Sequence, residues 1–135
     1  MENQYAPIST RIKALVIDTI VLIILMYSAS EIFNLIENTP DYIRIIIFFA
    51  LFLLYEPILI SLYGATVGHF FNDIVVKQEN DETKNINIVF AVARFITKSL
   101  LGWISLIIVN GNDKKKAIHD YIAKSVVLPY RKIKE

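Results

Sequence analysis

Cysteine is absent from the 135 residues, which removes disulfides, thiolate chemistry and sulfur metal ligands. Glycine and proline number only four each. Gly64 and Gly68 around Thr66 are too few for a phosphate cradle and lack a following lysine and helix. Charge of one sign is also scarce: the net charge is +1, which argues against a nucleic-acid partner. The two histidines, His69 and His119, have no acidic neighbours at ligand spacing, so no metal site is indicated. No nucleophile and base pair stands out, so neither an enzyme nor a cofactor is expected.

What the chain has in quantity is apolar sequence, 55% of its residues, gathered into three stretches of spanning length rather than scattered in short amphipathic segments. These define an all-α integral membrane protein, a small helical bundle that leaves no room for a separate soluble domain. Helix one covers about residues 11–36, with Ser9 or Thr10 as its cap. The Glu37–Asp41 segment then turns the chain, and helix two covers about 42–63 with an interior Glu56-Pro57 pair. Residues 64–85 form a loop containing a strand-like Ile74–Lys77, and the third apolar segment is 86–109. A basic tail, 110–135, carries Lys114–Lys116, a short helix around Ile118–Ile122 and a strand-like Ser125–Leu128. Arg11 and Lys13 before an apolar run reaching Ser28-Ala29-Ser30 resemble a cleavable signal. The run continues through Ile32–Ile36, however, and Asp18 interrupts it, so a retained anchor is the simpler reading.

Lysine and arginine cluster before helix one and after segment three. The positive-inside rule therefore places the N-terminus and the tail both in the cytoplasm, which three full crossings cannot satisfy. Two solutions remain open. Segment three is either a broken, re-entrant hairpin bending near Ser99–Gly102, with the two strand-like pieces pairing in a cytoplasmic cap, or a straight helix that violates the charge rule.

Asp18 and Glu56 each lie seven residues from the expected cytoplasmic end of their helix, a depth of about 10 Å at 1.5 Å per residue. Arg94 reaches about 12 Å by the same count. Acidic and basic groups in a membrane are costly and mark functional sites unless they neutralise one another. With two carboxylates and one arginine, one acid is left over for proton exchange. Lys98, one turn from Arg94, is positioned to complete the neutralisation instead. Both histidines fall at the cytoplasmic surface in this arrangement. Asp120 reads as a solvated or capping acid, or as one that folds back onto Arg11 beneath Asp18.

Four motifs together resemble the RDD family of small bacterial membrane proteins, over roughly residues 8 to 128. Arg11, Ala14 and Asp18 are similar to the family's opening pattern. Gly64-Ala65-Thr66-Val67-Gly68 and the trailing strand resemble its Gly-x-Thr-x-Gly-Lys segment, with His69 where lysine is usual. Arg94 matches the arginine of the last apolar stretch. Ile118-His119-Asp120 resembles the Leu-His-Asp tail, with Lys124-Ser125 replacing Gly-Thr. The resemblance singles out Arg11, Asp18 and Asp120 and implies transport, including cation/proton antiport, or membrane assembly.

The combined expectation is monovalent cation or proton translocation in a bacterial cytoplasmic (inner) membrane. Asp18 and Glu56 act as exchangeable carboxylates biased by Arg94, Arg11 and Asp120 as gate or lock, and Lys98, Thr66, His69 and His119 as secondary groups. Three short segments can hardly enclose a pathway, so this requires a homo-oligomer. The alternative is a non-transporting module that binds another membrane protein in the lipid bilayer, with the polar cluster as internal glue.

Overall fold

The computed structural model describes residues 4–133; residues 1–3 and 134–135 of the expected tails lie outside the described residues. Helix α1, Ile8–Leu35, begins three residues earlier than expected. Pro7 takes the N-cap place in extended conformation, and its carbonyl accepts the Arg11 N–H at 3.3 Å. Ser9 and Thr10 therefore sit inside the first turn and neither caps it. After a reversal at Pro40, helix α2 runs over Asp41–Tyr63, with Asp41 placing negative charge at the helix N-terminus. It stops at Gly64, whose φ of 73° is the left-handed position glycine occupies without cost. At 28 and 23 residues both helices are long and apolar enough to cross a bilayer.

Burial on α1 is confined to Arg11, Ala14 and Asp18, one helical stripe, with Phe33 at the far end edge-on to Phe48. The other faces of the hairpin expose Val16, Ile20, Ile24, Ile46 and Phe49, a surface suited to lipid.

Beyond α2 the chain departs from a plain loop. Thr66 caps a short helix, α3 (Val67–Phe71), in a reciprocal box with His69, so a helix does begin here, between the two glycines, with Gly68 in its first turn. Strand β1, Ile74–Gln78, pairs antiparallel with β2, Ser125–Pro129, in the register Val76 opposite Val127. This two-stranded sheet is a small β element in an otherwise helical architecture. It ties three parts of the chain together, because Ala6 N–H donates to Val127 O at 2.9 Å and Val76 N–H to Gly64 O at 2.6 Å. The apolar core sits at the same junction, where Ala14, Ile60, Val76, Ala91 and Val127 pack together.

The third segment is not a straight helix. Asn87 caps α4 (Ile88–Leu101), which breaks at Gly102, φ 54°; α5 (Ile104–Ile107) and a 3₁₀ turn to Gly111 then leave at 102° to it. The break falls at the end of the expected Ser99–Gly102 bend, at an exposed position with open space around Gly102. The chain then enters α6 (Ile118–Ile122) and β2. Since β2 pairs with β1, the segment leaves and re-enters the cap on one face. That face also holds the start of α1 and the end of α2.

The cysteine-free background makes this topology directly measurable. Single cysteines at Asn80 and Asp113 will react with an impermeant maleimide from the same side of the membrane, and one at Asn38, in the α1–α2 turn, from the opposite side. Labelling of residues 80 and 113 from opposite sides would show a full third crossing.

Candidate functional site

The buried stripe of α1, the end of α2 and the inner face of α4 meet above the cap, and their charged groups form one chain of ion pairs. Lys98 Nζ bonds Glu56 Oε2, and Glu56 Oε1 accepts Arg94 Nη1 at 2.8 Å. Arg94 Nε reaches Asp120 Oδ1 at 3.2 Å, and Asp120 Oδ2 accepts Arg11 Nη1 at 2.5 Å. Arg11 also donates to backbone, from Nε to Ala6 O and from Nη2 to Lys115 O. Asp120 is fully buried, and its Oδ2 also accepts the Ala117 N–H at the start of α6. The structure thus brings Arg11 and Asp120 into contact. Asp120 is no solvated surface acid.

Asp18 stands apart from that chain. Its Oδ1 accepts Tyr55 Oη and Gly68 N–H, each at 2.8 Å, and its Oδ2 accepts Thr66 Oγ1 at 2.6 Å. All three donors are neutral, and no cation pairs with Asp18 among the described residues. The expected distribution is therefore corrected: Arg94 and Lys98 both pair with Glu56, Arg94 makes no ion pair with Asp18, and Asp18 is the acid without one among the described residues. Glu56, held by two cations, is not a free exchangeable carboxylate. In sum, Arg11, Arg94 and Lys98 balance Asp18, Glu56 and Asp120, three against three.

Gly68 explains how α3 comes so near. A Cβ there would meet Ala14 O at 2.1 Å and the Asp18 carboxyl at 2.7 Å, so only glycine lets its N–H reach the carboxylate.

The histidines are buried, not surface groups as expected. His69 Nδ1 lies 2.8 Å from Thr66 Oγ1, and His119 Nδ1 lies 2.6 Å from Ser105 Oγ, fastening α5 to α6. Burial, reinforced by the positive charge of Arg94, pushes His69 down to about 3. Burial likewise pushes His119 down to about 3 against the pull of Asp120. Both imidazoles are neutral at neutral pH. For Asp120, burial works against ionisation, but Arg11, His119 and Arg94 outweigh it and hold the carboxyl far below its usual range.

A cavity of about 260 Å³ opens above the cluster. Asp18, Glu56, Arg94, Lys98 and the two histidines lie at its polar end, and Leu15, Leu22, Phe52, Phe95, Trp103 and Leu106 form the apolar remainder. Tyr55, Gly68 and Ser105 escaped the sequence reading as site residues. A tyrosine beside Glu56 was the one available signal. Lys116, buried with its Nζ on Glu79 Oε2 at 2.6 Å, clamps the tail to the end of β1 and was also missed.

A charged cluster sealed between two apolar spanning helices and a bent third segment defines a small polytopic membrane protein. The RDD family model matches residues 5–124, and the chain belongs to the RDD family. No curated protein and no solved structure matches the chain. The departure at Lys124 is legible in the backbone: its φ of 49° is the left-handed conformation for which glycine is the usual residue. Ser125 keeps a hydroxyl 3.4 Å from Asp120 Oδ1.

Truncating one member of the buried chain leaves its partner charged and unpaired. Arg11→Met and Asp120→Leu will each cost about 3–5 kcal/mol of stability, and the double variant much less than their sum; denaturation in detergent measures the cycle. Acid will loosen the cap. The folded histidine values near 3 lie below the unfolded value near 6.5, so the unfolded chain binds more protons as pH falls through that window. Stability drops there by up to about 1.4 kcal/mol per pH unit for each histidine. Hydrogen exchange of the β1–β2 amides between pH 7.5 and 4.5 reads the loss, and His119→Asn will remove about half of the slope.

Proposed function

We propose that this membrane protein exchanges protons for a cation at Asp18, in a homo-oligomer whose protomers complete the pathway. The carrying observation is that Asp18, alone among the three buried carboxylates of the described residues, has no ion pair and borders the cavity. The spent charges of Glu56 and Asp120 give the ion-pair chain the part of a rigid lock, with Arg11–Asp120 closing it below Asp18. The protein acts as a non-enzymatic transporter in a bacterial cytoplasmic membrane, with its N-terminus and cap in the cytoplasm. The lysine and arginine bias of the cap supports that orientation.

A second reading, a module that assembles with another membrane protein, draws support from the same chain of pairs. Lys98–Glu56–Arg94–Asp120–Arg11 is sufficient as internal glue without any transport.

Proteoliposomes decide between them. Proton release on adding a monovalent cation, whether Na⁺, Li⁺, K⁺ or an organic ammonium ion, is expected from the wild type and will be lost in Asp18→Asn. Glu56→Gln will lose stability before it loses selectivity. Proton movement by neither an inorganic nor an organic cation, in correctly inserted protein, would refute exchange and favour the assembly module.

A further inference from the structure

The cavity at Asp18 is built for a particular kind of cation, and this inference deepens the exchange reading by naming its substrate class. A carboxylate offers about four lone-pair positions, and Tyr55, Gly68 and Thr66 claim three of them. One acceptor position remains. An alkali ion entering so apolar a space needs several oxygens to replace its hydration shell. The walls offer instead the aromatic rings of Phe52, Phe95 and Trp103 and the side chains of Leu22 and Leu106. Nearby hydroxyls are mostly engaged: Thr19 donates to Leu15 O and Tyr55 to Asp18 itself.

An alkylammonium ion has the opposite requirements. When it is tertiary, its single N–H fills one acceptor position, its charge is stabilised by aromatic faces, and its carbon groups gain from apolar burial. At about 260 Å³ the space exceeds what a dehydrated metal ion occupies and suits a small arylalkyl or alkyl amine. The neighbouring cations do not forbid it, because Arg11 and Arg94 hold Asp120, and Arg94 and Lys98 hold Glu56. We infer that this cavity binds a lipophilic protonated amine, with its N–H on Asp18 and its apolar body against Phe52, Phe95 and Trp103, and that this amine is the cation exchanged for the proton.

The chain has one tryptophan, and it lines the cavity. Purified protein is titrated with N,N-dimethylbenzylamine, protonated at pH 7, and with isobutylbenzene, its uncharged isostere, following Trp103 fluorescence. A saturable change with the amine is expected, at least ten-fold tighter than with the isostere, and weakened at least ten-fold in Asp18→Asn. The comparison of the two ligands on wild-type protein stands even if that variant fails to fold. Equal response to both ligands, or no saturable response to the amine, overturns the inference. Proton release by Na⁺ without amine binding leaves exchange standing and removes only the amine. Amine binding with no proton movement by any cation keeps the site and removes exchange.

Discussion

The fold depends on one buried carboxylate held between two arginines. Asp120 has no exposed surface, and an ionised group so placed is tolerable only when its charge is met at close range. Arg11 meets it from α1 and Arg94 from α4, while Asp120 belongs to α6. Three elements far apart in sequence are thereby fixed at one point. The desolvation cost of the charges is large, so their value lies in specifying a single arrangement as much as in net stability. In a bundle whose outer faces meet lipid, apolar packing discriminates weakly between arrangements, and polar contacts of this kind take over that work.

The return of the third segment follows from the same tie. Asp120 and β2 hold the end of the chain against α1 and β1, so the segment between them has to come back to the face it left. A 14-residue α4 spans only about 21 Å before Gly102 turns the backbone. The short α5 arm is then fastened to α6 by Ser105 and His119. Bend, latch and sheet are three consequences of one closed circuit.

Much of this was legible because spacing in a helix converts directly into depth and face. The near-equal depths of Asp18, Glu56 and Arg94 placed these groups around a common space, and all three line the cavity. The β-branched runs in Ile74–Lys77 and Ser125–Leu128 likewise marked the strands that pair. Pairing was less legible than position. Asp18 is satisfied by Tyr55 and Thr66 hydroxyls and the Gly68 N–H, neutral donors that leave no charge signature in a sequence. Lys98 was weighed as a partner, but only side-chain direction assigns it to Glu56. Sequence position puts the histidines at the cytoplasmic surface, whereas contacts with Thr66 and Ser105 hold His69 and His119 in buried places. The early start of α1 escaped notice because serine and threonine are stronger cap signals than the proline that holds the place.

The even balance of charge bears on what Asp18 can do. When all three carboxylates are ionised, three cations meet three anions and the cluster is neutral, with the histidines uncharged. Protonating Asp18 and binding a monovalent cation beside it both raise the total by one. The two states are electrostatically alike, so the surrounding ion pairs need not rearrange when one replaces the other. Taking up both together adds a second positive charge in surroundings that screen it poorly, and the two guanidinium groups resist it. If Asp18 binds a cation as proposed, the charge count makes proton and cation compete for it. The ion-pair chain has to remain rigid for that competition to hold, since any looseness that lent Asp18 a cation from Arg11 or Lys98 would satisfy it internally.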